Sequence, residues 1–248
     1  MPDDWNLKWK EEFQSVESMD TRWVAGHLNV SAECALSIDH GVRLEFVEGK
    51  EYASAGVVLR RALTGDFRAD LVFSVQAPAP GATFELAAVT VTPPTRTVLS
   101  PKEPQDCSLV FNVHGEPPFV SSEFDEEDGW RISWNEQLPA FQTLASGEVI
   151  ADTRNNVYGK NSGPKPVGPA SGELRLVREG GVHWSAWRRR AADEPWELVG
   201  RHNAQAAALK DGVYLRLVGK HWVKHAEHLT VAPMNHIVFH RFSLWRRS

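Results

Sequence analysis

Apolar and polar residues along this chain alternate with a period of two over most of its length. The run 41–46 sets Val42, Leu44 and Phe46 against Arg43 and Glu45, the pattern of a half-buried strand. Further runs rich in β-branched and aromatic residues predict strands at 55–60, 67–75, 83–91, 108–113, 129–134, 173–178, 182–188, 196–199, 213–218 and 236–245. Turn chemistry separates them: Thr64-Gly65-Asp66, Pro78 with Pro80 and Gly81, Pro93-Pro94, and Gly180-Gly181. Helical periodicity is confined to a short stretch at 204–210. Residues 153–171, dense in Asn, Gly and Pro, predict one long loop, and loops of that length in a compact domain are usually functional or mobile. No repeat of 20–50 residues and no compositional break divides the chain, so residues 1–248 are expected to form one all-β domain, a two-sheet antiparallel jelly-roll sandwich.

Parity along each strand sorts side chains between faces. Trp130, Ile132 and Trp134 share one face and are expected in the core, whereas Arg175, between Leu174 and Leu176, points away from it. On the next strand His183, Ser185 and Trp187 oppose Val182, Trp184 and Ala186, so one of two Trp-bearing faces must look outward. Trp196 is expected to anchor its strand in the core.

Composition narrows the function classes. The chain has 248 residues, ample for a core without staples, and a net charge of −5 that argues against nucleic acid as a partner. The basic runs Arg188-Arg189-Arg190 and Arg246-Arg247 are too short to reverse that. No apolar run reaches the roughly 20 residues of a membrane span. The acidic start, Met1 to Trp5, lacks the regions of a signal peptide, so the expected location is cytoplasmic as the sequence stands, or secreted had a leader been removed. Cys34 and Cys107 have neither metal nor redox spacing, and their pairing is left open, as is the oligomeric state. There is no nucleophile elbow and no phosphate-cradling glycine loop.

A series of scaffold residues carries a family resemblance. Trp23, then Tyr52 and Ser54, then Gly65 and Phe67, then Pro80 and Gly81 stand in order, and 172–180 is followed by Trp184 and by Trp196-Glu197-Leu198-Val199. In these the chain resembles the concanavalin A-like lectin and glucanase superfamily, over about half of its length. The resemblance implies a jelly-roll sandwich and a carbohydrate or related ligand, although fold alone does not fix function.

Three groups of residues are candidates for chemistry. Glu123, Asp125 and Glu127 have the Glu-x-Asp-x-Glu spacing that resembles the catalytic signature of laminarinase-type glycoside hydrolases, and on a strand they would share one face. The run continues into Asp128-Gly129, a composition that favours a solvated acidic turn; clustered carboxylates could also hold Ca²⁺, the one cofactor the sequence suggests. In the resembled hydrolases the signature follows a Trp- and Pro-rich segment, and the strand standing in that order here, 109–113, has no carboxylate. His221, His225, His228, His236 and His240 lack zinc-motif spacing, and no metal site is expected from them. Arg154, Asn155, Asn156 and Tyr158 in the long loop, with His183 and Trp187, offer the amides, guanidinium and aromatic rings that bind sugars. The expected function is a carbohydrate- or small-ligand-binding sandwich without the standard glucanase catalytic strand. The alternatives are an enzyme using a cleft His or carboxylate on the same scaffold, and a protein-interaction domain.

Overall fold

A computed structural model describes residues 4–19, 21–27, 34–46, 52–76, 82–90, 93, 97, 118–125, 129–137, 140–143, 149–152, 156–162, 170–222 and 235–247. The strands are β1 (Trp5–Glu11), β2 (Trp23–His27), β3 (Cys34–Ile38), β4 (Val42–Phe46), β5 (Tyr52–Leu59), β6 (Phe67–Gln76), β7 (Ala82–Val89), β8 (Phe119–Asp125) and β9 (Gly129–Gln137). They continue with β10 (Ala140–Thr143), β11 (Val149–Asp152), β12 (Asn156–Ser162), β13 (Ala170–Glu179), β14 (His183–Arg189), β15 (Glu197–Asn203), β16 (Tyr214–Trp222) and β17 (Asn235–Arg247). Two one-turn helices, α1 (Val16–Met19) and α2 (Ala207–Lys210), lie between strands.

One eight-stranded sheet has the order β15-β14-β13-β6-β17-β4-β3, with β1 also paired to β17. A seven-stranded sheet has the order β12-β9-β8-β7-β16-β5-β2, and β10 and β11 form a small ribbon. Strand β17, thirteen residues long, pairs with β6 along one side. On its other side it gives residues 235–239 to β4 and 242–247 to β1, with a bulge between Phe239 and Arg241. The jelly-roll sandwich expected from the alternation is the fold observed.

The alternation locates the core. Val42, Leu44 and Phe46 of β4 are buried while Arg43 and Glu45 are exposed. Phe67, Ala69, Leu71, Phe73 and Val75 of β6 face the other sheet's Phe84, Leu86 and Ala88. Phe73 and Phe84 meet across the gap at 4.5 Å between ring centroids, and Trp130 packs 5.7 Å from Phe73. Trp130, Ile132, Trp184 and Ala186 point inward, so His183, Ser185 and Trp187 belong to the outer face of β14. Cys34 is buried, and desolvation pushes its thiol up to about 12, leaving it neutral. Cys107 lies outside the described residues, as does the strand expected at 108–113.

Three expectations change. Within the expected loop 153–171, residues 156–162 form β12, an edge strand whose polar sequence hides it; its backbone ladder with β9 runs from Asn156 opposite Gln137 to Ser162 opposite Arg131. The acidic run begins as a strand, since β8 extends through Asp125. Trp196 does not enter the core: it is half-buried on the outer side, with the guanidinium of Arg175 3.7 Å and that of Arg189 4.6 Å from its ring centroid.

One inward position of β13 carries a charge. Arg178 is fully buried, between Phe67 and Trp184, and donates to the backbone instead of to a carboxylate. Its Nε donates to Gly65 O at 2.9 Å, Nη1 to Leu209 O at 3.3 Å and Asp211 O at 3.0 Å, and Nη2 to Leu63 O at 3.3 Å. Desolvation pushes Arg178 down to about 10, still charged at neutral pH. Gly65, at φ +64, makes the turn that presents its carbonyl. Replacing Arg178 with Met would strand these acceptors at roughly 1–3 kcal/mol each where burial persists. Arg178→Met is therefore expected to lower stability by about 3 kcal/mol or more in urea unfolding.

A second tie closes the sandwich where β9 approaches β15. Glu136 accepts from His202 Nε2 at 2.5 Å with one oxygen, and with the other from the backbone N–H of Gln205, at 2.7 Å, and of Ala206. The His202 ring stacks on Trp134 with centroids 4.2 Å apart and planes 13° from parallel. Burial lowers the His202 pKa despite the pull of Glu136. A His depressed in the folded state gives stability that is present above its unfolded value and is lost as pH falls through the folded one. Unfolding free energy is expected to drop between about pH 7.5 and about pH 5.5, and to drop less in His202→Gln, when denaturation is measured at both.

Candidate functional site

The outer face of the seven-stranded sheet, turned away from the apolar core, holds a cluster of buried charge. Register lays its residues out in rows. Glu85 of β7 stands opposite Val218 of β16 on one side and Glu123 of β8 on the other, and Glu123 stands opposite Arg131 of β9. In the next row Arg216 is opposite Ala87, which is opposite Ser121 and then Ser133. These side chains are hidden although the core lies behind them: Glu85 is 1% exposed, Arg216 2%, Glu123 4% and Arg131 8%.

Each carboxylate is neutralised separately. Arg216 Nη2 lies 2.6 Å from Glu85 Oε1, and Lys220 Nζ donates to Glu85 Oε2 at 3.0 Å. Arg131 Nε donates to Glu123 Oε1, and Ser121 Oγ donates to Glu123 Oε2 at 2.8 Å. Two like charges directly opposite on adjacent strands repel, so an independent set of cations on each is what lets both stand there. Burial pushes the Glu85 carboxyl up, but Arg216 and Lys220 outweigh it and hold the group below its ordinary value. One end of the face turns apolar, where Ala87, Val89 and Phe119 pack with Tyr214, and the Arg216 guanidinium lies 5.7 Å from the Phe119 ring. The site is a floor of fixed charges and hydroxyls beside an aromatic shelf.

The structure disperses most residues singled out from sequence. Glu123 is on the floor; Asp125 ends β8 opposite Thr83 and Gly129, and Glu127 lies outside the described residues. Asn156 and Tyr158 lie on β12, opposite Gln137 and Asn135, at the edge of this same sheet. Arg154 and Asn155 are outside the described residues. His183 and Trp187 lie on the opposite side of the sandwich, on the outer face of the eight-stranded sheet. There His183 Nδ1 is 2.8 Å from Asn203 Oδ1, and Trp187 Nε1 donates to Ser185 Oγ at 2.9 Å. Of the described candidates, Asn156 and Tyr158 on β12 and His183 and Trp187 on β14 therefore belong to different sheets.

Of the histidines, His236 is 3.5 Å from Glu45 and His240 Nε2 2.8 Å from Ser74 Oγ, while His225 and His228 lie outside the described residues. Among the described residues no three His, Cys, Asp or Glu side chains are grouped to hold a metal ion. Among the described residues no helix is long and apolar enough to cross a membrane. Glu85, Arg131, Arg216, Lys220 and Ser121 escaped sequence reading. Polar residues at alternate strand positions look solvent-facing, and only cross-strand register brings these onto one patch.

Comparison with known proteins agrees on architecture. No protein-family model matches the sequence, and no curated protein is significantly similar to it. Solved structures match over nearly the whole chain. A LamA variant from Z. galactanivorans, in complex with laminaritriose and laminaritetraose, aligns at 12% identity and TM-score 0.55, covering 97% of this chain and 99% of that one. The exoplasmic/lumenal domain of VIP36 in its Ca²⁺/Man2-bound form aligns at 11% identity and TM-score 0.55, covering 96% and 88%. A Bacillus subtilis protein of unknown function with a galectin-like fold aligns at 11% identity and TM-score 0.52, covering 98% and 97%. The fold is the concanavalin A-like jelly roll of lectins and glucanases.

The Glu85 cluster has a stability consequence. Removing one partner of a buried ion pair typically costs about 3–5 kcal/mol, because the other charge is left desolvated. Glu85→Gln is expected to lower stability on that scale near neutral pH. A carboxylate depressed in the fold gives stability present above its unfolded value of about 4.3 and lost as pH falls through the folded value. The variant's acid-unfolding limb, followed by circular dichroism, is therefore expected to be shallower than that of the wild type.

Proposed function

We propose that the outer face of the seven-stranded sheet is a carbohydrate-binding surface. The observation that carries this reading is the burial of Glu85, Glu123, Arg131 and Arg216 on a sheet face that does not form the apolar core. Buried, neutralised charges of both signs offer fixed donors and acceptors, which is what orienting a polyhydroxylated ligand requires. Tyr214, partly exposed beside them and backed by Phe119, supplies apolar surface for the C–H side of a sugar ring. Saccharides are bound in two of the solved structures that share the fold.

One observation favours a hydrolase as the second reading. Glu85 and Glu123 are directly opposite on neighbouring strands. Such positions put Cβ atoms about 4.5–5.5 Å apart, and retaining glycosidases hold their carboxyl pair about 5–5.5 Å apart. Retaining hydrolysis also needs one of the two to carry a proton. Glu85 is held ionised by Arg216 and Lys220, and Glu123 faces Arg131. Both oxygens of Glu123 already accept hydrogen bonds, from Arg131 Nε and Ser121 Oγ, so binding without hydrolysis is the preferred reading.

A glycan array probed with the intact protein tests this, followed by titration of the best neutral oligosaccharide into Ser121→Ala and Glu123→Gln. Selective retention of a saccharide, with affinity reduced by about tenfold or more in both variants, is the expected result. An array with no bound glycan, or variants that bind as the wild type does, would defeat the proposal. Release of new reducing ends from laminarin, lost in Glu123→Gln, would establish the hydrolase instead.

A further inference from the structure

One flank of the sandwich encloses a cleft of about 470 Å³ between strands of different sheets. It is lined by Trp9 of β1, by Arg22 just before β2, and by Leu59, Arg61, Ala62 and Leu63 at and beyond the end of β5. A β-bulge builds the wall. Leu7 stands opposite Trp245 and Trp9 opposite Leu244, which leaves Lys8 as the extra residue. Strict alternation would send Trp9 to the outer face with Leu7. The bulge turns it inward instead, T-shaped against Trp23 with ring centroids 6.0 Å apart and 5.1 Å from Phe242. Leu59 and Leu63, 4% and 8% exposed, make an apolar floor. Backbone bonds fix these pieces: Arg60 N–H donates to Arg22 O at 2.7 Å, and Leu63 exchanges two bonds with Val213, at 2.7 and 3.0 Å. The cleft is formed before any ligand arrives.

The rim carries charge of one sign, since no lining side chain is acidic. The Arg22 guanidinium lies 5.2 Å from the Trp9 ring centroid, and its Nη1 is 3.7 Å from Glu11 Oε2. Glu11 is a buried carboxylate outside the lining, and its other oxygen accepts from Phe13 N–H at 3.3 Å. Arg61 is exposed and makes no ion pair or hydrogen bond among the described residues. Two guanidiniums against one carboxylate leave a single positive charge uncompensated beside the apolar floor.

That balance selects the ligand. A wall and floor of Trp9, Leu59 and Leu63 favour an apolar body. A polyol or a polyanion would lay further hydroxyls or charges on that floor without partners. One spare cation calls for one negative charge, and a guanidinium fork matches a carboxylate through two parallel N–H···O bonds. We infer that this cleft binds an amphipathic monocarboxylate, with its apolar body against Trp9, Leu59 and Leu63 and its head at Arg61 and Arg22. The inference concerns the flank between the sheets and does not rest on the carbohydrate reading of the outer face.

Calorimetric titration of the intact chain with octanoate and with naphthoate tests it, with acetate, octanol and octyl phosphate as comparisons. Saturable binding of octanoate or naphthoate is expected, about tenfold or more tighter than of acetate or octanol and no weaker than of octyl phosphate. The tighter of the two carboxylates identifies the body as aliphatic or aromatic. Arg61→Gln alters one exposed side chain outside the core. It is expected to weaken carboxylate binding by about tenfold while keeping the wild-type circular dichroism spectrum. Glu123→Gln, on the outer face of the seven-stranded sheet, is expected to bind the carboxylate as the wild type does. No saturable binding of either carboxylate, acetate or octanol binding as tightly, tighter binding of octyl phosphate, unchanged affinity in Arg61→Gln, or loss of binding in Glu123→Gln would each overturn the inference.

Discussion

A β-strand gives every second residue to each face, so a sheet cannot bury one face without deciding what the other will do. In the eight-stranded sheet of this protein the second face meets solvent, and its arginines are half-buried or exposed. In the seven-stranded sheet the charges on the second face are hidden as well, down to 1% exposure at Glu85, while Lys220 and Tyr214 beside them stay partly exposed. Charges placed there could not persist alone, because desolvation costs each several kcal/mol. The pairing of Glu85 with Arg216 and Lys220, and of Glu123 with Arg131, is therefore a condition for this sheet to exist with this sequence.

Arg178 solves a related problem in another way. It occupies an inward position of β13 with four backbone carbonyls for partners. These belong to the turn before β6 and to α2 with the residue that follows it, so one guanidinium fastens three parts of the chain. The bridge between Leu63 and Val213 ties the first of those stretches to the residues just beyond the second. Uncharged backbone acceptors satisfy a buried cation without a second buried ion, and the remaining cost shows in the lowered pKa.

The sandwich was legible in the sequence because its core strands obey strict alternation. The runs containing Val42-Leu44-Phe46, Phe67-Leu71-Phe73 and Leu174-Leu176 all fell on observed strands. Strand β12 was not, since Asn156 to Ser162 has almost no apolar alternation and is held by its ladder to β9. Trp196, following the polar turn 191–195, reads as the core anchor of its strand, yet two arginines cover it on the outside. The candidate site was legible only at Glu123, through its motif spacing. Glu85, Arg131 and Arg216 come from three separate strands, and only pairing, which no local pattern encodes, sets them side by side.

Strand β17 is last in the chain among the described elements, yet it lies inside the eight-stranded sheet, flanked by β6, β4 and β1. During synthesis the ribosome releases β1, β4 and β6 long before their shared neighbour exists. Those edges must wait unpaired until some two hundred residues have been translated. Contacts closed over such distances slow the search for the native state and leave sticky edges open meanwhile. The burden of getting this protein folded without aggregation therefore falls on the moment β17 emerges.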